Sequence, residues 1–180
     1  MRAVMTRNAL TVIGVVVALL VVAADRFSKW WILDVTRLPE GQDPLPVLSI
    51  LKFTMVWNEG ITFGLFGKLL NTHGQWSYLL IVAVALAVVT ALIMWLRRAE
   101  SRLVAIALGA IVGGALSNII DRLSYGRVAD FILVDIPISV GDIRLWPYVF
   151  NLADAAIVCG VAALVIDSML PRPVRDRQRT

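Results

Sequence analysis

Long apolar runs broken by short charged segments dominate the chain, and they predict four membrane-crossing helices over residues 9–30, 76–96, 103–122 and 149–170. Each run holds about 20 residues, enough at about 1.5 Å per residue to cross about 30 Å of hydrocarbon. The pattern changes between the first two runs. Leu51-Lys52-Phe53-Thr54-Met55 alternates apolar with polar positions and leads to Trp57, the period of a strand. Pro39, Gly41, Pro44 and Pro46 precede it, and Gly60, Gly64 and Gly67 follow, so regular structure is interrupted on both sides. A second connection, residues 123–148, holds the β-rich runs Phe131–Val134 and Ile136–Val140, with Gly141-Asp142 as a turn before Ile143. The expected fold is an α-helical integral membrane protein, a single membrane domain over residues 1–180. It has four transmembrane helices, and the outer connections 31–75 and 123–148 form a small extracytoplasmic β-rich cradle. The tight connection from Arg97 to Arg102 makes the second and third helices antiparallel neighbours. Gly109, Gly113 and Gly114 in the third run let another helix approach closely.

Composition agrees with a bilayer as solvent. Of 180 residues, 59% are hydrophobic and 17% charged, with a mean hydropathy of +0.80, more apolar surface than one small soluble core can hide. The first run follows Arg2 and Arg7 in the manner of a secretory signal, but apolar character resumes at Trp30-Trp31-Ile32-Leu33. An uncleaved span is therefore expected, with the Trp pair at the membrane interface. Arginines gather at Arg2 and Arg7, at Arg97, Arg98 and Arg102, and at Arg172, Arg175, Arg177 and Arg179. An even number of spans puts these three short segments on one side, the cytoplasmic one, together with both termini. Residues 171–180 form a mobile basic tail suited to anionic headgroups. The pI near 9.7 reflects this topology, and no basic and aromatic interleaving points to nucleic acid. Cys159, the single cysteine, sits among Ala155, Ile157, Val158 and Val161 and is expected to be buried as a small apolar residue. His73, the single histidine, reads as a loop residue, and one His with one Cys does not make a zinc site, so no metal or cofactor is expected.

Five polar clusters stand at the outer ends of the spans or in the outer connections. They are Asp25 with Ser28 and Lys29, Asn58 with Gly60, Asn118 with Asp121 and Arg122, Asp130, and Asn151 with Asp154. A carboxylate at a bilayer edge is costly without a partner or a task. Asp130 and Asp154, brought together by the fold, would share one proton because close like charges cannot both ionise. The ionised member can then take a proton from water while the protonated one polarises a peptide carbonyl. The pair titrates jointly, so acid and base are not assigned individually. Other readings stay open for single residues. Asp154 suits the start of the fourth helix as a cap. Arg122 offers donors to peptide carbonyls or lipid phosphate, or pairs with Asp121. Asp25 and Lys29 form a supporting i,i+4 pair if the first helix continues through them. For the whole chain, a proton or cation carrier and a noncatalytic lipid-binding or assembly protein are the alternatives.

The order Asp25-Arg26-Phe27-Ser28-Lys29, Asn58-Glu59-Gly60-Ile61-Thr62-Phe63-Gly64, Gly113 through Arg122, Val128-Ala129-Asp130-Phe131 and Phe150-Asn151-Leu152-Ala153-Asp154 resembles the prolipoprotein signal peptidase (signal peptidase II) family. The resemblance runs from the first span to the last. It implies an aspartic endopeptidase of the bacterial inner membrane that removes the signal peptide of diacylglyceryl-modified prolipoproteins on the outer, periplasmic side; a monomer without a cofactor is the separate expectation for the chain. By the same matching Asp130 and Asp154 are the catalytic pair, Asn58, Asn118, Arg122 and Asn151 contact substrate or shape the site, and Asp25, Lys29, Gly60 and Asp121 support them. Arg26 stands where Gln is common in the family, Thr62 where Ala or Ser is usual, and Ser117 where Gly is typical. These departures leave both aspartates intact and bear on the shape of the site. The stretch through Gly67 is expected to cover bound peptide as a lid.

Overall fold

A computed structural model describes residues 6–60, 76–135, 139–140, 143–144 and 148–170. The lid through Gly67, Thr62, His73, the Gly141-Asp142 turn, the N-terminal Arg2 and the basic tail 171–180 lie outside these residues. Four helices are long and apolar enough to cross a membrane. Helix α1 spans Arg7–Trp30, with Thr6 accepting the amide of Ala9 at its start, and runs on into a π-helical turn, Trp31–Val35. Helix α2 spans Trp76–Leu96, α3 Arg102–Tyr125 and α4 Leu152–Met169. Ser101 caps α3 by accepting from the amide of Val104. At its other end α3 outruns the expected 122 and stops at Gly126, whose φ of +71° is left-handed backbone that a glycine adopts without a Cβ penalty. Helix α4 begins three residues later than expected because Tyr148–Phe150 is a strand, with Asn151 as the helix cap.

Helix α3 is the centre of the bundle. Of its most apolar stretch 61% is buried, against 22%, 17% and 11% for α1, α2 and α4, whose remaining apolar surface faces outward. The glycines expected to admit a neighbour do so on two sides. A Cβ at Gly109 would collide with the Gly14 carbonyl of α1, and one at Gly113 would lie 2.6 Å from the Ala18 carbonyl. A Cβ at Gly114 would collide with the Ala153 carbonyl at the head of α4. Cys159 corrects an expectation: it is exposed on α4, beside Val158 and Val161, which are exposed at 67% and 47%. Its apolar neighbourhood is genuine, but in a membrane helix hydrocarbon outside the protein satisfies such a face as well as a protein core does.

The two long connections build a four-stranded antiparallel sheet in the order β1 (Leu45–Pro46), β2 (Leu51–Asn58), β3 (Val128–Val134), β6 (Tyr148–Phe150). Strands β4 (Ser139–Val140) and β5 (Ile143–Arg144) pair as a separate two-stranded antiparallel sheet. One face of the large sheet rests on the π-helical end of α1, where Ile32, Leu38, Met55, Ala129 and Phe131 form a buried cluster. The cradle is thus anchored to the first helix by apolar packing, at the end of the bundle where the polar clusters gather.

Candidate active site

Asp130 lies in the middle of β3 and is 2% exposed. Its neighbours are set by strand register. Leu51 to Phe53 pair with Val134 to Ile132, but after one extra residue in β2 the register becomes Val56 opposite Asp130 and Asn58 opposite Val128. Without that bulge Asp130 would oppose Met55 and Asn58 would project from the other face, because side chains alternate with period two. With it, Asn58 is a diagonal neighbour of Asp130, and its Nδ2 donates to Asp130 Oδ2 at 3.0 Å. The Asn58 Oδ1 accepts the amide of Gly60 at 2.8 Å, and Gly60 has a φ of +75°.

The register of β3 with β6 brings in the fourth helix. Ile132 pairs with Phe150, so Asn151, one step further, arrives beside the segment that carries Asp130. Asn151 Nδ2 donates to Asp130 Oδ1 at 2.7 Å. The same residue caps α4: its Oδ1 accepts the amide of Asp154 at 2.9 Å, while Asp154 Oδ2 accepts the amide of Asn151 at 3.2 Å. This reciprocal pair is a capping box, so the expected capping role of Asp154 is real and fixes its rotamer. From α3, Asn118 Nδ2 donates to Asp154 Oδ1 at 2.8 Å, and its Oδ1 accepts from Asn151 Nδ2 at 3.1 Å. Asn151 therefore joins the two aspartates, one from a strand and one from a helix, through a continuous chain of hydrogen bonds.

Burial is the largest influence on Asp130 and pushes its carboxyl up to about 6. The Asn58 hydrogen bond opposes the rise, the charge of Asp154 adds to it, and Asn151 and Lys29 oppose it. The rise that the Asp154 charge adds to Asp130 is the effect expected of close like charges. Arg122 donates from Nη1 to the Asn118 carbonyl at 3.2 Å. Its guanidinium also lies close to Gly60, where a Cβ would meet Nη2 at 3.7 Å. It does not pair with its neighbour Asp121, whose carboxylate bonds to Arg26 and Lys29.

Below this layer Asp25, Lys29 and Asp121 are all fully buried, and Lys29 Nζ is 2.7 Å from each acid. The Asp25 and Lys29 pair uses the i,i+4 spacing of a helix that does continue through both. Ser117 Oγ donates to Asp25 Oδ2 at 2.6 Å, so two of the three departures from the family pattern, Arg26 and Ser117, carry polar partners of these acids. Sequence reasoning assigns neither a role, although Ser117 precedes Asp121 by four residues and so shares its helix face. It also passes over Tyr148, whose ring is exposed and stacks on Phe150. Its phenol is raised above the ordinary value by desolvation and then by the charges of Asp154 and Asp130. Among the described residues no group of three or more His, Cys, Asp or Glu is arranged to hold a metal ion.

Comparison with known proteins agrees with the sequence motifs. The model of the family described as signal peptidase (SPase) II matches residues 17–170. A lipoprotein signal peptidase of Methylorubrum extorquens (strain PA1) is 47% identical over 161 residues, 89% of this chain and 87% of the relative. One from Methylobacterium radiotolerans is 42% identical over 165 residues, 91% of this chain and 90% of the relative. A solved bacterial membrane enzyme structure at 1.9 Å resolution superposes with a TM-score of 0.69 at 23% identity, covering 88% of this chain and 94% of that one, a likeness of fold. None of these matches supports a proton or cation carrier. The match over most of the length, with four apolar helices and a small antiparallel sheet, makes the chain a multi-pass bacterial membrane protein that belongs to the signal peptidase II family.

Proposed function

We propose that this peptidase removes the signal peptide from diacylglyceryl-modified prolipoproteins at the outer face of the inner membrane, with Asp130 and Asp154 as its catalytic pair. The observation that carries the reading is the link through Asn151, which donates to a carboxylate oxygen of each aspartate from two different groups, its side-chain and its backbone amide. In this reading the pair carries one proton, since burial and the charge of Asp154 both favour the protonated form of Asp130. The ionised carboxyl takes a proton from water as its oxygen attacks the scissile carbonyl, and the protonated one hydrogen-bonds the carbonyl oxygen. A tetrahedral diol results. Its collapse breaks the carbon–nitrogen bond, and a proton from the pair goes to the leaving amine.

The asparagines divide the remaining work. Asn118 and Asn151 direct their amide groups at the aspartates and at each other, so they orient the acids. Asn58 and Arg122 stand at the edge of the pair, where a peptide backbone in extended form needs donors and acceptors. A lipid-modified precursor presents its cleavage point at the membrane surface, and acids carried by an outer strand and by the start of a helix meet it at that depth. The test is cleavage of a diacylglyceryl precursor by purified, folded Asp130→Asn and Asp154→Asn variants. Each is expected to lose at least about 10³-fold in kcat, the upper range for general acid–base groups. Full turnover by either would falsify the dyad.

A further inference from the structure

Two acids outside the reacting pair take hold of the backbone immediately before it. Asp25 Oδ1 accepts the amide of Ala153 at 2.9 Å, and Asp121 Oδ2 accepts the amide of Ala129 at 3.2 Å. Ala153 and Ala129 directly precede Asp154 and Asp130. Between the acids, the Lys29 ammonium is 2.7 Å from Asp25 Oδ2 and 2.7 Å from Asp121 Oδ2. We infer that Asp25, Lys29 and Asp121 form a two-armed positioning clamp that sets the spacing of the catalytic aspartates through the amides of Ala153 and Ala129.

The inference rests on Asp130 and Asp154 being the catalytic pair. It goes beyond general support because the two arms end on equivalent atoms in unrelated elements, one in β3 and one in the first turn of α4. Both amides are buried donors that need an acceptor, and both adjoin the proposed catalytic pair, so satisfying them also fixes the pair. Lys29 has three N–H groups, and Asp25, Asp121 and the Asn118 Oδ1 at 3.4 Å give it three acceptors, so its position is determined from three sides. Asn118 in turn donates to Asp154, which adds a side-chain hold to the backbone one. Ser117 binds the remaining face of Asp25 and Arg26 that of Asp121, so each acid is itself immobilised. Two acids and two bases leave the cluster formally neutral, and no buried charge is unopposed. Peptide planarity passes the position of each amide to the next residue, and a reacting group displaced by about 1 Å loses about 10²-fold in rate.

The test compares Asp25→Ala, Asp25→Asn, Asp121→Ala and Asp121→Asn in the full chain, since an asparagine carbonyl still accepts the amide that alanine abandons. Per folded molecule, the alanine variants are expected to lose about 10- to 100-fold in kcat with KM changed less than about twofold, and the asparagine variants to recover most of the loss. Amide hydrogen exchange reads the arms without catalysis. Asp121→Ala should speed exchange at Ala129 and spare Ala153, and Asp25→Ala should do the reverse. Should the buried-acid variants fail to fold, Arg26→Ala at a partly exposed position removes a donor from Asp121 alone. It is expected to speed exchange at Ala129 and to lower kcat by about two- to fivefold. Wild-type kcat in folded alanine variants, or wild-type exchange and kcat in Arg26→Ala, overturns the clamp while the dyad stands. Full turnover by Asp130→Asn instead removes the dyad, and the catalytic meaning of the clamp falls with it.

Discussion

Asp130 is pulled in two directions by its surroundings, and the balance determines when the site can work. Burial raises its carboxyl to about 6, and the Asn58 Nδ2 bond to Oδ2 holds it from rising further. A pair that needs one proton loses it as the pH climbs through this region, so cleavage is expected to decline on the alkaline side in a limb governed by the pair jointly. The sign of the Asn58 effect then follows. Its donor favours the ionised carboxylate, so Asn58→Ala raises the Asp130 pKa and moves the alkaline limb of kcat to higher pH, by about one pH unit for the loss of one charge-assisted bond. A pH–rate profile of precursor cleavage checks it, and a limb that stays or moves to lower pH refutes it. The same scale shows why Asn118 and Asn151 cannot be replaced by aspartates of equal shape. Each donates through Nδ2 to a carboxylate of the proposed pair, and an acid there would present a lone pair to a lone pair.

At the scale of elements, the site is assembled from pieces that are each locally ordinary. A bulge in β2 turns Asn58 toward Asp130, and a capping box at the head of α4 orients Asp154. What brings the two pieces together is the close approach of α3 and α4, where Gly114 faces the Ala153 carbonyl with no room for a methyl group. Gly114→Ala must push the head of α4 outward, since backbone, not a flexible side chain, stands in the way. It is expected to reduce kcat by about 10²-fold through displacement of Asp154, and to lower stability by about 1–3 kcal/mol as an overpacked interface does. Cleavage assays and unfolding in mixed micelles measure the two effects separately. Gly126→Ala, by contrast, meets nothing within 4 Å, and its cost is confined to the left-handed backbone.

The whole molecule presents apolar surface where lipid must lie. Val12, Val15, Val16, Leu19 and Leu20 are exposed on α1, and Val84, Leu86 and Val88 on α2. At the sheet end, Trp57 packs with Tyr125 at 5.4 Å between ring centres, and Arg127 lies 4.4 Å over the Trp57 ring. Such aromatic and cationic groups suit the headgroup level of a bilayer. The Arg97 and Arg98 turn is at the opposite end of the bundle, at the close of α2. On the proposed orientation the basic turns face the cytoplasm and the sheet faces outward. In a Cys159→Ala background, Asp135→Cys is therefore expected to react with a membrane-impermeant maleimide added to intact spheroplasts, and Arg98→Cys only after lysis. The reverse pattern would invert the topology and place the proposed site in the cytoplasm.

Four helices and a small sheet are legible in the sequence because hydropathy and period two are local properties, whereas the end of α3 and the start of α4 depend on the Gly126 turn and the β6 strand. The polar residues of the site were legible as well, since a charge or amide at a bilayer edge stands out from its surroundings, and the family motifs grouped them. Their partners were not. Nothing local distinguishes Asn118, which holds Asp154, from Asn58, which holds Asp130, or reveals that Lys29 bridges two acids 96 positions apart in the chain, Asp25 and Asp121. Cys159, expected inside, is exposed for a related reason: an apolar neighbourhood in sequence does not say whether protein or lipid covers the face. Hydrogen bonds between distant segments depend on register, helix approach and a single extra residue in β2, and these are decided only when the whole chain packs.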